Sequence, residues 1–139
     1  MIIYVDSDVI LDVVMGRDAF LAESSQILNL CETHQISGCT STLAIANIYY
    51  ILRRYEEKSA RIAIKSLRDI LQVLPVTDKE IGQSLDSKFK DFEDGVQNFV
   101  AECHAAEYII TRNKKDFFHS SLKVLTPKEY LLTHVNHSL

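Results

Sequence analysis

Residues 2–8 read Ile-Ile-Tyr-Val-Asp-Ser-Asp, a β-branched apolar run that ends abruptly on two carboxylates. A strand buried on both faces has this continuous rather than alternating form. The run therefore predicts a parallel sheet, with Asp6 and Asp8 at the carboxyl end of its first strand. No basic region precedes Asp6, so the segment fits a strand better than a signal peptide.

Working outward, residues 18–34 read as a helix with Phe20, Ile27, Leu28 and Cys31 facing inward, and residues 35–40 as a turn leading into a second strand. Ile45, Ile48, Tyr49 and Leu52 then recur at i, i+3, i+4 and i+7, one face of a helix that runs to Arg53 and Arg54. A further helix over 59–71 buries Ala60, Ala63, Ile64, Leu67 and Leu71, and could pair with the preceding one as a hairpin. Residues 72–76 carry strand character, and Pro75 places that strand at or near a sheet edge. Thr77 to Glu80 opens another helix with capping-box spacing. Asp91 to Asp94 opens a third long one, with Val96, Phe99, Val100 and Cys103 on its core face. Residues 108–111 form a strand ahead of a polar loop over 112–116, residues 123–125 a last strand, and Pro127 starts a terminal helix. Strands alternating with helices imply parallel pairing and a three-layer α/β/α sandwich around a short parallel central sheet.

The chain has 139 residues, of which 47% are hydrophobic, enough for one domain over 1–139 and too short for two independent ones. Its net charge of −4, from 15 basic and 19 acidic residues, argues against nucleic-acid binding by overall charge. Cys31, Cys39 and Cys103 form no CxxC pair and suit buried thiols in a reducing, cytoplasmic setting. No apolar run approaches the roughly 20 residues of a membrane span. The five histidines, His34, His104, His119, His134 and His137, show no metal-binding spacing and are assigned surface or packing roles. Arg53, Arg54, Lys58, Arg61, Lys65 and Arg68 read as a solvated helical face, with phosphate-backbone tracking as the sharper alternative.

In parallel sheets, ligands sit outside the carboxyl ends of the strands. That rule gathers Asp6, Asp8 and the stretch from Asn113 to Asp116 on one edge. Each acid has a plain structural alternative: Asp6, Ser7 or Asp8 as a helix cap, Asp94 with Asp91 as a variant capping box, and Asn113 and Asp116 as turn residues. Asp8 taken alone is a cap. Taken together, Asp6, Asp94 and Asp116 come from separate segments and would converge where the sheet predicts a site. Such acids can hold magnesium or manganese through oxygen, and a metal-activated water can attack a phosphodiester.

Three strings carry a resemblance: YVDSDVILD at Tyr4 to Asp12, EDGVQNFVA from Glu93, and TRNKKDF at Thr111 to Phe117. Their order and spacing resemble the PIN domain over nearly the whole chain. Asp6-Ser7-Asp8 matches the end of that family's first strand, Asp94 its middle acid at a helix start, and Thr111, Asn113, Asp116 and Phe117 its last loop. The resemblance implies an Mg2+- or Mn2+-dependent endoribonuclease, of the kind that serves bacteria as a toxin neutralised by an antitoxin protein, and a homodimer. It makes Asp6, Asp94 and Asp116 the catalytic metal ligands, direct or through water. Asn47, Asn113, Asp8 and Thr111 are polar support; Arg112, Lys114 and Lys115 border the expected site and could hold substrate phosphates. One departure stands out: the family usually carries Glu on the helix after the second strand, and Asn47 holds that place here. Asparagine offers a neutral carbonyl oxygen and no charge.

Two other functions fit parts of the pattern. A PIN scaffold that binds RNA or a protein without cutting is supported by Asn47. A haloacid-dehalogenase-type phosphatase would use Asp6 as nucleophile and Asp8 as general acid, but it needs Thr or Val where Ile10 stands and a downstream Lys and acidic pair that the sequence does not supply.

Overall fold

The computed structural model describes residues 2–135, the side chain of Val135 excepted; His137 lies outside the described residues. The elements run β1 (Ile2–Val5), α1 (Ser7–Val14), α2 (Asp18–Glu32), β2 (Ser37–Ser41), α3 (Thr42–Leu52), α4 (Glu57–Ile70) and β3 (Gln72–Leu74). They continue as α5 (Asp78–Leu85), α6 (Phe92–Cys103), β4 (Tyr108–Ile110), a 3-10 turn (Lys114–Phe117), β5 (Lys123–Leu125) and α7 (Pro127–Tyr130). All four strand pairings are parallel, in the order β3-β2-β1-β4-β5. This is the three-layer α/β sandwich that the alternation of elements predicts, with the Pro75 strand at an edge.

β1 is central, and Ile3, Tyr4 and Val5 are wholly removed from solvent. Its side chains alternate between layers. Ile3 and Val5 pack with Val9, Ile27, Ile48 and Leu67 from the α1 to α4 side, whereas Tyr4 packs with Val96 and Val100 of α6. A strand so placed must be apolar on both faces, which is why the opening run does not alternate. Gly95 allows α5 to press against the first turns of α6, where a Cβ would collide with Ser84 Oγ.

Several expectations are corrected. Phe20 is 41% exposed and lies under the Arg112 guanidinium, 4.2 Å from ring centroid to Cζ, instead of entering the core. Cys103 is exposed, while Cys31 and Cys39 are buried and burial pushes their thiols up to about 12. The helix expected to reach His34 stops at Glu32. His34 adopts φ 60°, and the Gln35 and His34 N–H groups close back on Leu30 and Cys31 carbonyls. This is the left-handed stop usually built with glycine. α3 ends at Leu52, ahead of Arg53 and Arg54.

Candidate functional site

The chain lays β1, β2 and β3 out in one direction and then returns to place β4 on the other side of β1. The crevice beyond the carboxyl ends of β1 and β4 is thus a topological switch point, where open α/β sheets bind ligands. Asp6 leaves β1 there, its N–H still bonded to Ile110 O at 3.0 Å, and Thr111 leaves β4 beside it.

Asp6 occupies the N-cap position of α1 but its carboxylate does not cap the helix. It turns to the neighbouring strand, where Thr111 Oγ1 donates to Oδ2 at 2.8 Å, and Ser7 Oγ donates to Oδ1 at 3.4 Å. The Gln97 amide of α6 also favours its charged form. The expected capping role of Asp8 is likewise corrected. Asp8 Oδ2 accepts from Asn113 Nδ2 at 2.9 Å and from the Arg112 N–H at 3.3 Å, which ties α1 to the loop after β4. Its other oxygen, Oδ1, is buried and has no hydrogen-bond partner among the described residues.

Asp94 sits in the first turn of α6. Asp91 caps that helix, its Oδ1 accepting from Asp94 N at 3.0 Å, so half of the expected capping box is present. Asp94's own carboxylate is half-buried and faces the cluster. Burial first, then the charges of Asp91, Asp116, Asp8 and Glu93, push it up to about 7. Asp8 rises to about 7 by burial and the Asp6 charge, and Asp6 rises by burial and the Asp94 charge. Asp116, exposed in the 3-10 turn, contributes to the same field. Asn47 of α3 reaches α6, with Nδ2 donating to Glu93 Oε2 at 2.9 Å. The fold therefore brings together Asp6, Asp8, Asp94, Asp116, Thr111 and Asn113, with Asn47 joined through Glu93. Among the described residues, no three His, Cys, Asp or Glu side chains close on one point as a finished metal cage would. What converges is a set of carboxylates whose neighbours and burial disfavour their charged forms.

The cations expected to bind phosphate are distributed differently. Arg112 Nε lies 2.7 Å from Asp12 Oδ2, and Lys114 Nζ 3.1 Å from Glu129 Oε2. Both charges are engaged. Lys115 is exposed and makes no ion pair among the described residues. On the α3–α4 surface, Arg61 pairs with Glu57 and Arg53 lies over the Tyr50 ring, as a solvated face would.

Three contributors escaped the sequence reading. Gln97 links Asp6 to Tyr4, whose buried hydroxyl donates to Gln97 Oε1 at 2.9 Å and lies 2.9 Å from Ser41 Oγ. Asp12, wholly buried, anchors Arg112. Glu93 receives Asn47. A signal existed for two: Gln97 is a polar residue on the core face of α6, three after Asp94, and Asp12 falls one turn after Asp8 in an apolar helix.

Comparisons with known proteins agree with this architecture. The family profile of the PIN domain matches residues 3–115. Ribonuclease VapC1 of Aquifex aeolicus is 29% identical over 133 residues, covering 92% of each chain. In structure, the chain resembles a toxin-antitoxin complex from Klebsiella pneumoniae, with TM-score 0.67, 23% identity and coverage of 89% of this chain and 96% of that one. It also resembles VapBC2 from Rickettsia felis bound to a DNA fragment from its promoter, with TM-score 0.69, 13% identity and coverage of 90% and 97%.

Proposed function

The chain belongs to the PIN domain family, and on that premise we propose that it is a divalent-metal-dependent endoribonuclease that serves as the toxin of a toxin–antitoxin pair. The observation that carries this reading is a contrast between neighbouring carboxylates. Asp12, wholly buried, is matched by Arg112 and Arg17. Asp6, Asp8, Asp94 and Asp116 have no ion-pair partner among the described residues, although three of them are raised by burial and by one another. A group of acids left without a cation in a crevice is a functional arrangement before it is a stabilising one.

The residues fit a divalent ion. The donors are hard carboxylate oxygens, the class that magnesium and manganese select, and Asp8 Oδ1 is an orphaned buried acceptor. Bound there, such an ion supplies a Lewis acid for phosphodiester hydrolysis. Asp6, Asp94 and Asp116 are the proposed ligands, direct or through water. Thr111 holds Asp6, Asn113 holds Asp8, and Lys115, without an ion-pair partner among the described residues, is left for a substrate phosphate. Arg112 acts instead as a strut, because its charge is committed to Asp12.

A relative named as a ribonuclease supports the RNA substrate, and structural neighbours solved as toxin–antitoxin complexes support an antitoxin partner. A cytoplasmic setting and a homodimer belong to the same proposal. No helix among the described residues is long and apolar enough to cross a membrane. The test is cleavage of single-stranded and structured RNA in manganese, magnesium or chelator, beside folded Asp6→Asn and Asp94→Asn. Metal-dependent cutting lost in both variants supports the reading. Absence of cutting by the folded wild type, with RNA or protein binding retained, would replace the nuclease with a binding scaffold.

A further inference from the structure

Asn47 and Glu93 lie 46 positions apart and are joined side chain to side chain across α3 and α6, with Asn47 Nδ2 2.9 Å from Glu93 Oε2. We infer that Glu93 adds a carboxylate to the cation-binding cluster and that Asn47 is the residue that positions it. The inference rests on the metal-site reading above and assigns roles to two residues that reading leaves without one.

Glu93 is not needed as a helix cap, because Asp91 already caps α6. Nor is it neutralised: among the described residues no Lys or Arg pairs with it. An exposed glutamate in a first helical turn gains from the helix dipole wherever its side chain points. It would relieve repulsion by swinging into water, yet a bond to the neighbouring helix holds it in the same helical turn as Asp94. The holder is a neutral amide, which fixes direction without cancelling charge. The amide nitrogen of Asn47 points at Glu93 Oε2, while Glu93 Oε1 remains without a protein partner among the described residues. Asn47 therefore contributes orientation, and Glu93 contributes the charge that a cation would meet. The bond is solvent-exposed, so water competes for both partners and it adds little to stability; its expected consequence is on metal affinity.

The experiment is manganese titration by calorimetry on the full chain, with metal-free thermal melts in parallel, for wild type, Asp94→Asn, Glu93→Gln, Asn47→Ala and the Glu93→Gln/Asn47→Ala double variant. Glu93→Gln is expected to weaken manganese binding about 10-fold, within the range for residues that support a metal site. Asn47→Ala should weaken it several-fold, and the double variant should be no worse than Glu93→Gln, since Asn47 acts through Glu93. Metal-free melting should barely move. If wild type binds manganese and Asp94→Asn abolishes binding while Glu93→Gln stays within twofold, Glu93 is not part of the cluster and this inference is overturned alone. If a purely structural role holds instead, Asn47→Ala lowers the metal-free melting temperature and leaves affinity unchanged. If wild type binds no manganese, the metal-site reading falls and this inference with it.

Discussion

Arg112 Nε stands 2.7 Å from Asp12 Oδ2, joining the loop after β4 to a carboxylate of α1 with no solvent exposure. The pair holds the loop that carries Thr111 and Asn113 against the helix that carries Asp8. Removing one partner of a buried ion pair leaves an uncompensated charge, at a typical cost of about 3–5 kcal/mol. Arg17, 3.4 Å from Asp12 Oδ1, softens that loss here. Arg112→Ala is therefore expected to destabilise the fold by about 2–3 kcal/mol in chemical denaturation. A variant that loses RNA cleavage with no loss of stability would show that Arg112 meets substrate instead.

Thr111 is wholly buried, and its hydroxyl donates to Asp6 Oδ2 at 2.8 Å while accepting from Asn113 N–H at 3.1 Å. Thr111→Val preserves shape and removes these bonds together with a longer contact to Asp8 Oδ2 at 3.3 Å. The expected outcome is a stability loss of about 1 kcal/mol together with manganese affinity about 10-fold weaker, largely restored by Thr111→Ser. Unchanged affinity in Thr111→Val would remove Thr111 from the support of Asp6.

The acids make a prediction about pH. Asp94 is raised from 3.8 to about 7 in the folded protein, so the fold binds its proton more tightly than the unfolded chain does. Its contribution to stability is complete below about pH 4 and is lost as the pH rises through about 7. Without divalent metal, Asp94→Asn should therefore melt above wild type at pH 8, and the gap should narrow as the pH falls toward 4. Manganese at pH 8 should raise the wild-type melting temperature by several degrees, and chelator should reverse the gain. A gap that is constant with pH would show that Asp94 titrates normally.

Ala105 ends α6 in the left-handed region at φ 59°, with the Ala106 N–H returning to Ala101 O at 3.1 Å. An L residue is strained there and glycine is not. Ala105→Gly is expected to stabilise the protein by about 0.5–1 kcal/mol in denaturant titration, far from the acidic crevice and without effect on manganese binding. Destabilisation would mean that the lost methyl contact or the added chain entropy outweighs the relieved strain.

Ala105 and His34 also show why helix ends were hard to read. Glycine at these two stops would have marked them, but alanine and histidine carry no such signal. Asp8 taken alone reads as a cap for a related reason. Two residues after a strand, an aspartate has the same local pattern whether its oxygens turn back to the helix or across to another strand, and the partners that decide it, Arg112 and Asn113, lie more than a hundred positions away.

The sequence by itself determined the layers, the parallel sheet, the edge strand at Pro75 and the family, because these follow from hydrophobic period, strand–helix alternation and three ordered strings of residues. It also pointed to acids at one edge, since parallel strands deliver their ends to the same side. Only the tertiary structure decided how the polar partners are shared: Arg112 to Asp12, Lys114 to Glu129, Asn47 to Glu93, and, among the described residues, no cation to Asp6, Asp8 or Asp94. Pairing depends on distances between side chains from distant segments, and a difference of a few ångströms separates a free phosphate-binding arginine from a buried strut.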